Sequence, residues 1–69
     1  MLKKSVIIAN RHRTSVSLEK EFWLELKSIA QKSGLSINAL ITKIDAEREK
    51  ENLSGAIRIF ILKYLKSNQ

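Results

Sequence analysis

The sequence predicts a mainly α-helical domain with one short β-strand, and three observations lead to this fold class. Residues 13–18 alternate polar and apolar side chains, as strands do, whereas three later segments repeat apolar residues at helical spacing. The chain has 69 residues and no cysteine, so disulfides and thiolate metal sites cannot supplement a small core. We therefore expect residues 1–69 to form a single domain that buries part of its apolar surface against a second copy.

Residues 1–12 form a basic segment for which the sequence leaves two structures open. The apolar run at residues 6–8 favours a β-strand, which would lie beside the strand of residues 13–18. The segment would otherwise be a flexible arm, and its cations are Lys3, Lys4 and Arg11. The run is too short for a signal peptide or a membrane span, so we expect a cytoplasmic protein without a membrane partner.

Residues 13–18 predict a strand with two unlike faces, because successive strand side chains point to opposite sides. Val16 and Leu18 lie with Thr14 on the apolar face. The opposite face carries one guanidinium and two hydroxyls, on Arg13, Ser15 and Ser17. This polar face has no evident role inside a core and is well suited to the major groove of DNA. The alternative is the solvated face of an exposed strand.

Two amphipathic helices follow, separated by a glycine. The first is predicted over residues 19–33 and ends at Gly34, which adopts the left-handed conformation at no steric cost. The second is predicted over residues 36–48, with Ser36 as its N-cap. We expect the following apolar residues of the strand and of these helices to form the core of a dimer: Val16, Leu18, Phe22, Trp23, Leu26, Leu40, Ile41 and Ile44.

A third helix is predicted over residues 54–66, with Ser54 as its N-cap. Apolar residues surround much of its circumference, which is typical of a helix buried on more than one side. Because the chain is small, we expect part of this helix to contact another subunit. The predicted contact residues are Phe60, Ile61 and Tyr64, and such a contact would allow a tetramer as well as a dimer.

The basic character of the chain bounds the class of its partner. The chain holds 13 Lys and Arg residues against 7 Asp and Glu residues, for a formal net charge of +6. This balance indicates a polyanion such as nucleic acid, or only a soluble surface. The single histidine, His12, has no evident catalytic partner, and no nucleophile–base pair, metal cluster or phosphate loop is present in the sequence. We expect no enzyme activity, no catalytic residue, no metal and no cofactor.

The order of these elements resembles the ribbon-helix-helix family of bacterial regulators. The resemblance rests on the alternating strand, the first amphipathic helix, and Gly34-Leu35-Ser36 ahead of the second helix. A closer similarity links nearly the whole chain to an uncharacterised bacterial subgroup of this family. The segments that carry it are Arg13–Glu19, Phe22-Trp23, Leu35–Leu40 and Asn52–Arg58. The resemblance implies an intertwined homodimer with an antiparallel β-ribbon between subunits, followed here by an additional C-terminal helix.

The resemblance also implies that the protein binds double-stranded DNA as a transcriptional regulator or repressor. The paired strands would enter the major groove, and the bases would be contacted by Arg13, Ser15 and Ser17. The N-terminus of the second helix would bind a backbone phosphate through its free amides and its positive dipole end. The phosphate contacts expected there and on the basic segment are Ser36, Asn38, Lys3, Lys4 and Arg11.

Two other functions compete with DNA reading. The chain could be a homo-oligomeric protein-interaction module, or an antitoxin-like protein with a protein partner and no direct base readout. Residues 6–8 discriminate between these functions and DNA reading. An extra strand beside the ribbon would widen it beyond what the major groove accommodates, whereas an unobstructed ribbon favours DNA.

Overall fold

A computed structural model describes residues 1–9 and 11–67, and the other residues of the predicted 1–69 domain lie outside the described residues. Its elements, in order along the chain, are β1 (Leu2–Ile8), β2 (His12–Leu18), α1 (Lys20–Lys32), α2 (Ile37–Glu47) and α3 (Leu53–Ser67). The strands form a two-stranded antiparallel sheet. The fold class predicted from the sequence, mainly helical with a ribbon and an additional C-terminal helix, is confirmed.

The two strands form a hairpin within one chain. The register pairs Leu2 with Leu18 at one end of the hairpin and Ile8 with His12 at the other. The apolar, partly β-branched run at the end of β1 favours a strand, and Val6 anchors it because its side chain is only 4% exposed. The N-terminal segment is therefore a strand and not an arm. The sequence predicts one short strand, and the structure adds β1 as its partner within the same chain. Pairing of β2 between two copies stays a prediction.

The turn of the hairpin imposes an unusual backbone conformation on Ala9. Its φ is 55°, in the left-handed region that residues with a side chain rarely occupy. The amide of Arg11 donates a hydrogen bond of 3.1 Å to the carbonyl oxygen of Ile8, which closes the turn. The tight turn therefore strains the backbone of Ala9, whereas a glycine would adopt this φ without strain.

All three helices pack against one face of the hairpin and enclose a single core. Seven of the eight residues predicted to form the core of a dimer are buried in it, and the eighth, Phe22, packs partly buried against it. One chain buries these side chains without a partner, so their role in a dimer stays a prediction. The buried apolar residues are Val6, Val16, Leu18, Trp23, Leu26, Ile29, Ala30, Leu40, Ile41, Ile44, Ala56, Ile57 and Ile61.

The end of α1 and the start of α2 follow local signals in the sequence. Gly34 has a φ of 71°, and the amide of Leu35 donates to the carbonyl oxygen of Ala30 at 2.9 Å, which closes a Schellman motif. The hydroxyl of Ser36 accepts a hydrogen bond from the amide of Ala39 at 3.0 Å, as an N-cap does. Both helix ends are therefore satisfied within a few residues of the connection.

The start of α3 differs from the prediction. The side-chain oxygen of Asn52 accepts a hydrogen bond from the amide of Gly55 at 2.7 Å, so Asn52 is the N-cap and the helix begins at Leu53. The hydroxyl of Ser54 instead accepts a hydrogen bond from the amide of Ser17 in β2, at 3.4 Å. A local pattern could not distinguish the two caps, because the partner of Ser54 is distant in sequence.

The third helix completes the core of its own chain. Ile61, which we expected to meet another subunit, is 1% exposed within this chain, so that prediction is wrong. Phe60 and Tyr64 are partly buried against the same core, with their ring centroids 6.2 Å apart. Large apolar side chains of α3 that remain exposed are Ile59, Leu62 and Leu65.

Arg58 connects α3 by hydrogen bonds to the residue before α1 and to the end of β2. Its Nε donates to Oε1 of Glu19 at 3.0 Å, and its Nη2 donates to the carbonyl oxygen of Ser17 at 3.4 Å. Its guanidinium carbon lies 5.9 Å from the centroid of the Phe22 ring. A hydrogen bond from its own backbone amide, and then the one from Arg58, lowers the pKa of Glu19 below its ordinary value of 4.5.

The strain at Ala9 predicts that Ala9→Gly stabilises the chain. Glycine adopts a positive φ freely, while the greater freedom of the unfolded chain offsets part of the gain, so we expect a rise in the free energy of unfolding of about 0.5 kcal/mol. Urea unfolding measures this difference. Ala46→Gly, at an exposed position of α2, is the control and should lower the same free energy by up to about 1 kcal/mol. A decrease with Ala9→Gly would contradict strain at this turn.

The lowered pKa of Glu19 predicts a pH-dependent contribution to stability. The contribution is fully present above the ordinary pKa of 4.5 and is lost as the pH falls through the lower pKa of the folded state. Glu19→Gln should therefore flatten the acid limb of a plot of thermal midpoint against pH. Glu25→Gln, at an exposed position of α1, is the control and should keep the slope of the parent. An unchanged acid limb in Glu19→Gln would refute the linkage.

Candidate functional site

One face of the hairpin packs on the helices, and the other lies toward solvent. Residues directly opposite each other in an antiparallel pair share a face. The solvent side consists of three cross-strand pairs: Lys3 with Ser17, Ser5 with Ser15, and Ile7 with Arg13. We call this surface, made of residues 3, 5, 7, 13, 15 and 17, the outer face. Five of its side chains are exposed and that of Ser17 is half-buried.

The outer face carries cations and hydroxyls and no carboxylate. Residues 1–18 hold four of the 13 Lys and Arg residues and none of the 7 Asp and Glu residues, so they carry a formal charge of +4 within the total of +6. Lys3 and Arg13 lie on the outer face itself. Lys4 lies on the inner side, where its Nζ is 5.2 Å from the centroid of the Trp23 ring. Such a concentration of positive charge attracts a polyanion.

Side chains from the first two turns of α2 close one edge of the hairpin. Oδ1 of Asn38 accepts a hydrogen bond from the amide of Ile7 at 3.4 Å, and Oγ1 of Thr42 accepts one from the amide of Ala9 at 3.0 Å. The hydroxyl of Thr42 also donates to the carbonyl oxygen of Asn38 at 2.8 Å. These bonds hold the N-terminus of α2 beside the end of β1.

A hollow of about 230 Å³ lies between the N-terminus of α2 and the hairpin. Ser36 and Asn38 line it from the helix, and Ile7 and Ala9 line it from the hairpin. The Ser36 cap uses the amide of Ala39, but no hydrogen bond among residues 1–9 and 11–67 engages the amide of Asn38. Free first-turn amides and the positive end of the helix dipole favour an anion in this hollow.

The other edge of the hairpin is closed by α3 at one end only. The amide of Ser17 donates to Ser54, and its carbonyl oxygen accepts from Arg58. In an antiparallel strand, the N–H and C=O groups of every second residue point away from the partner strand. The N–H and C=O groups of Arg13 and Ser15 therefore point away from β1, as those of Ser17 do. Within the described part of the chain, no hydrogen bond reaches those two pairs of backbone groups, and this stretch of the edge is open.

The structure brings only part of the sequence-predicted site together. Arg13, Ser15 and Ser17 share the outer face with Lys3, and Ser36 and Asn38 line the adjoining hollow. Lys4 and Arg11 belong to the hairpin but not to its outer face. The contacts of these residues with DNA stay predictions. The sequence analysis did not assign five residues that build the site: Ser5, Ile7, Thr42, Ser54 and Arg58. Ser54 and Arg58 lie in the segment 52–58 that carries the family resemblance, whereas no signal pointed to the other three.

Two other kinds of site have no support in the described residues. No group of three or more His, Cys, Asp and Glu side chains among them could hold a metal ion. No helix within residues 1–9 and 11–67 is long and apolar enough to cross a membrane.

Comparison with known proteins identifies the family of this chain. No curated protein matches it, and no solved structure does. A family model described as a ribbon-helix-helix domain matches residues 1–65, a span that includes both strands, α1, α2 and most of α3. Ribbon-helix-helix domains generally bind DNA as transcription regulators rather than act as enzymes, and they typically dimerise. The chain, with its two-stranded ribbon followed by helices, belongs to the ribbon-helix-helix family.

Proposed function

We propose that this protein is a sequence-specific regulator of transcription that binds double-stranded DNA through the outer face of its hairpin. The observation that carries the proposal is the chemistry of that face, which combines two cations and three hydroxyls with no carboxylate. The DNA major groove offers phosphates along its rims and hydrogen-bonding base edges along its floor. Membership of the ribbon-helix-helix family supports the same class of partner.

The width of the hairpin supports the insertion of a ribbon from a single chain, β1 with β2, into the major groove of DNA. Neighbouring strands lie about 4.8 Å apart, and the major groove is about 12 Å wide, so two strands fit. Pairing β2 with β2 of a second copy would set four strands side by side, with about 14 Å between the axes of the outer strands. Such a sheet is too wide to enter the groove face-on. We therefore infer that the reading ribbon is β1 with β2, rather than a ribbon between two subunits.

The outer face provides base contacts of two strengths. The guanidinium of Arg13 can donate two hydrogen bonds to guanine, which makes this residue the principal reader. Ser15 and Ser17 discriminate less, because a hydroxyl both donates and accepts hydrogen bonds. The hairpin adds Ser5, which lies opposite Ser15, and Ile7, whose apolar side chain suits the methyl group of thymine.

Phosphate contacts are expected along the sides of the ribbon. The first turn of α2 lies beside β1, where Ser36, Asn38 and the free amide of Asn38 suit a phosphate at one rim of the groove. Lys3 lies on the outer face itself, at the end of the hairpin away from the turn. Lys4 and Arg11 are exposed nearby and add attraction that does not depend on base sequence.

A second copy is expected to bind through α3, because a dimer that reads DNA has to leave both outer faces free. The large apolar side chains of α3 that stay in solvent are Ile59 at 43%, Leu62 at 55% and Leu65 at 40% exposure. Their spacing of three residues places them along one side of the helix, where they form a stripe. Two copies joined at this stripe would present two hairpins to two half-sites. The same stripe favours the competing function, a protein-interaction module without DNA binding.

Arg13→Ala and Val16→Ala separate reading from folding. Arg13 is exposed, so Arg13→Ala should keep the thermal midpoint, relax sequence preference and weaken binding to an operator selected from random DNA by about 1–3 kcal/mol. Val16 is 0% exposed, so Val16→Ala should lower the midpoint by opening a cavity. The thermal midpoint and the affinity for the operator are measured in parallel on both variants. Normal affinity and specificity in a stable Arg13→Ala protein would favour the protein-interaction module.

Leu62→Lys tests the stripe on α3. A charge at the centre of an apolar interface should yield a monomer in sedimentation and remove the dependence of the thermal midpoint on protein concentration. Leu24→Lys is the matched control on α1, where the leucine is 58% exposed compared with 55% for Leu62, and it should leave the mass unchanged. A monomeric parent, or an unchanged dimer mass in Leu62→Lys, would rule out association through α3.

A further inference from the structure

A groove of about 310 Å³ lies along the edge of β1 that faces away from β2, bounded by α1 and the first turn of α2. We call it the β1 groove. This volume is at the lower end of the range for small-molecule sites, which is about 300–1,000 Å³. Its lining includes Lys4 and Ser5 from β1, Trp23, Leu24 and Lys27 from α1, and Ile37 from α2.

Side-chain hydrogen bonds hold β1 at both ends of this groove. Nε1 of Trp23 donates to the carbonyl oxygen of Leu2 at 2.8 Å, and the amide of Ile7 donates to Oδ1 of Asn38 at 3.4 Å. The Asn38 bond closes the edge of β1 at Ile7, and α1 and the first turn of α2 bound the rest of the groove. A volume of about 310 Å³ between these helices and β1 suits a small ligand rather than a peptide strand.

The lining of the β1 groove combines apolar surface with positive charge. Trp23, which is 5% exposed, and Ile37 supply apolar surface at its base, while Leu24 is 58% exposed and forms a wall. Lys4 and Lys27 supply two cations, and none of the lining residues, all of them described, is acidic. A complementary ligand therefore carries an apolar body and a negative charge.

We propose that the β1 groove binds a small organic carboxylate with an apolar body. The body lies against Trp23 and Ile37, and the carboxylate pairs with Lys4 and Lys27. The amide of Ser5 points away from β2, as that of Ile7 does two residues later, and is a further donor to the carboxylate. The apolar contact supplies most of the affinity, while the charge-assisted hydrogen bonds orient the anion.

Trp23 is the one tryptophan of the chain, so its fluorescence reports on the groove directly. We expect 4-phenylbutyrate to change this emission saturably, and neutral 4-phenylbutanol to bind about fivefold more weakly. Lys27→Gln should weaken phenylbutyrate binding about two- to fivefold, as expected for the loss of one exposed ion pair. Lys32→Gln, on the same helix but outside the groove, is the matched control and should bind like the parent.

A second variant and a second readout make the test decisive. Leu24→Glu adds a carboxylate at an exposed position of the wall and should abolish binding without loss of folding. Backbone amide shifts in NMR should localise phenylbutyrate to Ser5 and Lys27. No saturable change in either readout, equal affinity for the acid and the alcohol, or equal losses in Lys27→Gln and Lys32→Gln would overturn the proposal. A change of sedimentation mass in Leu24→Glu would also overturn it, by assigning the groove to a second copy.

Discussion

The antiparallel pairing of β1 with β2 inside one chain is the interaction on which the rest of the structure depends. It brings Val6 into the same core as Val16 and Leu18, and it completes a two-stranded ribbon from a single copy. Without β1, the backbone groups of β2 that now pair with it would lack hydrogen-bond partners, and the core would lose the side chain of Val6. The register also decides which side chains share the outer face, because it sets residues 3, 5 and 7 opposite residues 17, 15 and 13.

Different helices form hydrogen bonds with the two edges of the ribbon, and this arrangement connects the fold with the proposed function. Asn38 and Thr42 of α2 bond to one edge, whereas Ser54 and Arg58 of α3 bond to the other. The helices therefore contact the ribbon on its inner face and along its edges, and they leave the outer face uncovered. Since every acidic residue of the chain lies at position 19 or later, the uncovered face keeps a positive charge that no neighbouring strand residue offsets.

Elements whose signals are local were predictable. The alternation of residues 13–18 is a property of six consecutive side chains, and Gly34 and Ser36 act on amides and carbonyls only a few residues away. The candidate base-reading set of Arg13, Ser15 and Ser17 needs only the strand period for its members to share a face. Ser5 and Ile7 could not be added to that face from the sequence, since their place depends on the pairing register of two strands.

The amphipathic periods of β2 and the helices and the helix break at Gly34 follow from neighbouring residues alone, and the basic charge follows from the composition. Long-range contacts set residues 2–8 as a strand and not an arm, since the short apolar run at residues 6–8 needs both a partner strand and a core contact through Val6. They also bury Ile61 within its own chain, and they pair Ser54 with Ser17 instead of leaving it to cap α3. Those outcomes depend on contacts between residues far apart in sequence, which no local pattern encodes.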